Sequence, residues 1–89
     1  MKPFLDVSML EPCEPMERVL EAISQLEKGD FLKVLHRREP RLLYPLLEKL
    51  GYAWYCKQQA EVRFIILIWR ENDTFARTAA LANSDKPSA

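Results

Sequence analysis

Little in this 89-residue chain is in surplus. It has two cysteines, two glycines and one histidine, and thirteen Lys+Arg balance thirteen Asp+Glu. Two cysteines are too few for a disulfide scaffold. Balanced charge argues against a general nucleic-acid binder, which needs surplus positive charge to displace counterions. The longest apolar run, Phe64 to Trp69, is far short of the ~20 residues that span a bilayer, so no membrane partner is expected. The opening Met-Lys-Pro-Phe-Leu-Asp lacks the apolar stretch of a signal peptide, and the expected location is cytoplasmic. What the chain does have is 48% apolar and 29% charged residues, proportions that suit a single small globular domain.

Residues Pro3 to Val7 are short and mostly apolar and predict a first strand. Pro12 and Pro15 cannot both lie inside a helix, but Pro15 suits a first helical position, where no amide partner is needed. Met16, Val19, Leu20, Ile23 and Leu26 then recur at helical steps. They predict a helix from about Pro15 to Lys28, stopped by Gly29. Phe31 to His36 reads as a second strand. Leu42, Leu43, Leu46, Leu47 and Leu50 have helical spacing before Gly51, and Pro45 delays the regular part to Leu43 or Tyr44. Tyr52 to Gln59 and Val62 to Trp69 are rich in aromatic and β-branched residues and predict a hairpin. The unbroken apolar run of the second places it inside the sheet, with its second face at least partly covered. Right-handed crossovers in the order βαβαββ put both helices on one face of a mixed four-stranded sheet. The expectation is an α+β fold, a two-layer α/β sandwich over residues 1–70. Residues 71–89 read as a polar tail with a short helix over 73–82 and a disordered end.

The stretch Leu5-Asp6-Val7-Ser8-Met9-Leu10-Glu11-Pro12-Cys13-Glu14-Pro15 resembles the N-terminal signature of the TusA/SirA-like sulfur-carrier proteins. Their pattern is Asp, a short gap, Gly-Leu-x-Cys-Pro-x-Pro, then a helix. Through Trp69 the chain resembles an uncharacterised branch of that superfamily, the domain of unknown function 2249. The similarity is carried by Glu-Pro-x-Glu-Pro-Met-Glu at Glu11 to Glu17 and Leu-His-Arg-Arg-Glu-Pro at Leu35 to Pro40. It continues in Leu-Tyr-Pro-Leu-Leu at Leu43 to Leu47 and Gly-Tyr-x-Trp at Gly51 to Trp54. The resemblance implies the fold just derived and adds a strand order of 1-2-4-3. It also implies a site at the first turn. Pro12 stands where the sulfur-carrier cysteine belongs, Cys13 at the first proline and Met9 at the glycine, so the persulfide-bearing residue has no matching position.

Cys13 precedes a predicted helix N-terminus, where free amides and the helix dipole favour a thiolate of the kind persulfide or disulfide chemistry uses. Glu11, Glu14 and Glu17 oppose that, and an ordinary loop thiol is the plainer reading. Cys56 reads as a packing residue. His36 ends the second strand at the carboxyl edge, where open α/β sheets usually bind ligands. Arg37, Arg38 and Arg41 follow it. With unpaired helix amides they would suit a small anion or an acidic peptide. Alternatively, Arg37 and Arg38 pair with Glu11, Glu14 or Glu39 and hold the loops together. No Cys-x-x-Cys or His-x-x-x-His spacing exists, so neither a metal nor another cofactor is expected. Two helices cover one sheet face only. The other is left for a homodimer, another partner, or the tail folded back through Phe75 and Leu81.

The expected function is a non-catalytic adaptor or carrier-like module. It would meet a partner protein, with a sulfur-relay or redox component among the candidates, through the Met9–Pro15 loop and the Arg37–Arg41 cluster. The alternatives are sulfur transfer through Cys13 and a small-anion module.

Overall fold

A computed structural model describes residues 4–6 and 14–84, with side chains at 4–6 and 16–82. The tail end expected to be disordered lies outside the described residues.

Pro15 is the second residue of α1 (Glu14–Ile23), where a missing amide leaves no bond unmade. The apolar spacing predicted a helix to Lys28, but α1 ends sooner. The Ser24 hydroxyl donates to the Glu21 carbonyl at 2.6 Å, and the Gln25 and Leu26 amides bond three residues back, at 3.1 and 3.2 Å. That tighter turn still buries Leu26, which is why the spacing looked unbroken. Gly29, at φ 88°, then turns the chain towards β2 (Leu32–His36).

Pro45 is the third residue of α2 (Leu43–Leu50), within the first turn, where it displaces no helical bond. The amides of Leu43 and Tyr44 are bonded to the carbonyls of Pro40 and Arg41, at 3.0 and 3.3 Å. Gly51 closes the helix in the left-handed region, its N–H donating to the carbonyls of Glu48 and Leu47. β3 (Tyr52–Ala60) and β4 (Arg63–Arg70) form the expected hairpin. With β1 (Phe4–Asp6) the sheet order is β1-β2-β4-β3, β1 parallel to β2 and the other pairs antiparallel. The fold is therefore α+β with a mixed four-stranded sheet, and the apolar β4 is interior.

On one face α1 and α2 bury Val19, Ile23, Leu43 and Leu47 against Leu32, Val34, Ile66 and Ile68. The other face carries Phe31, Ile65, Leu67 and Trp69 under α3 (Thr74–Ser84), a partial third layer beyond the two expected. The helix meets the sheet through Ala76 and Ala80, four residues apart and fully buried, with Leu81 packed beside them. Phe75, which the folded-back tail would have placed in that contact with Leu81, is 77% exposed. Successive helical residues are turned by about 100°, so seating Ala76 and Ala80 swings Phe75 off the contact. One carboxylate fixes the start of α3. Asp73 Oδ2 accepts the Gly29 N–H at 2.7 Å, and Oδ1 accepts the Ala76 N–H at 3.0 Å. Those two bonds, Gly29's first, hold its pKa below the ordinary 3.8. Beside it, the Arg70 guanidinium donates to the Leu26 carbonyl at 2.7 Å.

Candidate functional site

Parallel strands β1 and β2 end together, with Asp6 beside Leu35 and His36 next. The opposite end is marked by Tyr52, which follows α2, pairs with Arg70, and donates its hydroxyl to the Ile23 carbonyl at 3.2 Å. Both helices finish at that far end, so both begin at the rim that holds His36. β4 starts at the same rim, with Phe64 opposite His36.

His36 is half-buried there on the α1/α2 face of the sheet. The Arg38 N–H donates to its Nδ1 at 3.0 Å, which leaves the ring proton on Nε2. Burial first, and the Arg38 guanidinium second, push its pKa below 6.5. A base whose folded pKa is depressed resists a proton that the unfolded chain accepts. Its contribution to stability is therefore complete above pH 6.5 and is lost as pH falls through the folded pKa. A proton NMR titration of the ring is expected to give a midpoint below 6.5, and His36→Asn to flatten the stability profile in that window. A midpoint above 6.5 would contradict this assignment.

The loop after His36 sorts the cations. Arg41 Nε donates to Glu39 Oε1 at 3.0 Å, an exposed pair. Arg37 and Arg38 are exposed, and among the described residues no carboxylate pairs with either. Glu39, one of the partners considered for Arg37 and Arg38, is thus paired with Arg41 instead. The reason is local: the Arg41 N–H bonds the Glu39 carbonyl at 2.9 Å, a tight turn that brings the two side chains together. The α2 amides proposed as anion donors are also taken, at Leu43 and Tyr44, by the turn carbonyls. Guanidinium groups remain as the rim's donors.

A second cluster was not read from the sequence. Tyr44 stacks on Trp54, ring centroids 4.9 Å apart and planes within 9°. Its hydroxyl donates to Glu39 Oε2 at 3.3 Å and also meets the Cys56 thiol. Burial, then these neighbours, drive the Tyr44 pKa up. Burial likewise raises Cys56, against the Tyr44 bond that lowers it and with Glu39 adding to the rise. Cys56 is thus a protonated thiol, packed against the core as expected. The available signal was the alternation that puts Tyr52, Trp54 and Cys56 on one face, beneath the first turn of α2.

Cys13 and Glu11 lie outside the described residues. Glu14 enters as the first residue of α1, with its side chain outside them too. Among the described residues no three His, Cys, Asp or Glu side chains gather as a metal site would require, and no helix is long and apolar enough to cross a membrane.

No curated protein and no solved structure matches the chain significantly. One family does, over residues 4–70, which takes in all four strands, α1 and α2 and stops at the end of β4. With well over half of its length matched in this way, the chain belongs to the family described as Uncharacterized conserved protein (DUF2249).

Proposed function

We propose that this chain is a TusA-like, cytoplasmic, non-catalytic adaptor or carrier-like module. It acts through protein–protein contacts at the Met9–Pro15 loop and the Arg37–Arg41 cluster. One observation carries the reading: Arg37 and Arg38 project from the rim without a carboxylate partner among the described residues, while Arg41 beside them is paired. Two solvated guanidiniums within one short loop suit a carboxylate-rich partner, because Arg presents its donors as a fork matched to carboxylate.

Poly-glutamate, titrated into the labelled protein, is expected to move the backbone amides of residues 36–41. Poly-lysine is expected to leave them still, and the Arg37→Glu/Arg38→Glu variant to lose the response. Equal responses to both polymers, or none to either, would contradict the reading.

Sulfur transfer through Cys13 is the second reading. It is favoured by Pro15 lying within α1, because proline is accommodated in a helix's first turn and a helix N-terminus favours a thiolate nearby. Alkylation of Cys13 by iodoacetamide much faster than that of Cys56 at neutral pH supports it. A rate no higher than that of a simple thiol removes it.

A further inference from the structure

One flank of α2 is apolar, while Glu48 and Lys49 lie exposed on the rest of its outward side. Leu42, Leu46 and Leu50 are 79%, 37% and 58% exposed and stand four residues apart, so they form one stripe of about 12 Å. Leu46 lies about 160° round the helix from Tyr44. Tyr44 leans on Trp54, so the stripe occupies the other flank, which no described element covers. Cations mark both of its ends: Arg37 and Arg38 at the head, where Arg41 is paired with Glu39, and exposed Lys49 beside the foot, with Glu48 about 120° or more round the helix from the stripe.

We infer that this stripe and its flanking cations are a single docking surface for an amphipathic helix of a partner protein, leucine-rich on one side and acidic at its ends. This rests on the adaptor reading and extends its contact from the rim down α2. Charge decides against a second copy as occupant. A two-fold, antiparallel pairing of α2 with itself would set the arginine head of each copy against Lys49 of the other, a like-charge contact. An acidic helix meets opposite charge at both ends. A membrane surface is a poorer fit, because interfacial helices bury a long apolar face and this stripe holds three leucines.

The test uses the full chain with labelled leucine methyls and backbone amides, and a synthetic helical peptide of about 15 residues, long enough to hold some helix alone. It carries leucines on one side and glutamates at both ends. The expected result is that the methyls of Leu42, Leu46 and Leu50 and the amides of residues 37–41 shift together. Leu42→Ser/Leu46→Ser, exposed changes that spare the core, should weaken binding about tenfold or more. A peptide with lysine for glutamate should not bind. Shifts at 37–41 without leucine shifts would overturn the stripe and leave the adaptor reading standing; no shifts at either would sink both. Equal binding of the lysine peptide, stronger binding to anionic phospholipid vesicles, or leucine shifts that track protein concentration alone would overturn it in favour of another occupant.

Discussion

Ile66→Ala is expected to lower the free energy of unfolding by about 2–5 kcal/mol, the range for truncating a large apolar side chain in a core. Ile66 is fully buried in the interior strand β4, with Val34 of β2 on one side in register and Cys56 of β3 on the other. The cluster beneath α1 and α2 closes over it. Strands on both sides fix its backbone, so the cavity cannot collapse by backbone movement, which places the loss towards the upper end of that range. Small domains have about 5–15 kcal/mol in total, so the variant should be partly unfolded at moderate temperature. Urea unfolding followed by tryptophan fluorescence checks this, and a loss under about 1 kcal/mol would mean that the face is packed otherwise.

Ending the chain after Glu71 should cost as much or more. The family match stops at Arg70, yet the sheet it ends on has a second apolar face. α3 covers Phe31, Ile65, Leu67 and Trp69. Burying such a side chain completely is worth ~1.5–3 kcal/mol, and each keeps some shelter from its neighbours in the sheet, so the loss is on the order of 5 kcal/mol. The bared face would then seek other cover. The truncated chain is expected to bind a hydrophobic dye and to self-associate in sedimentation, or to lose its cooperative transition. A stable, monomeric product would show that α3 is an ornament on a self-sufficient sheet.

The elements were legible because their signals were local. Pro15, Gly29, Pro45 and Gly51 act on their own backbones, and the apolar run of β4 states its burial outright. Errors arose where two geometries satisfy one pattern. Leu26 is buried whether the helix continues or tightens after Ile23, and only the Ser24 bond to Glu21 selects the second. The tail does cover the second face, as one of the three alternatives had it, but through the small Ala76 and Ala80 beside Leu81 rather than through Phe75, which lets α3 lie close to the sheet. At the rim, the position of His36 followed from strand order, whereas the Arg41–Glu39 pair and the Tyr44–Trp54–Cys56 cluster depend on turn geometry and on cross-element contact. No spacing in the sequence encodes those.

Docking at the rim requires Arg37 and Arg38 to stand ready for a partner rather than to brace the loops. The stability of Arg37→Ala/Arg38→Ala by urea unfolding tests that most directly. Side chains that pair with no carboxylate among the described residues should change it by no more than about 0.5 kcal/mol. A loss of ~1.5 kcal/mol or more would show that the guanidiniums hold the protein's own structure together, and the docking rim would have to be given up.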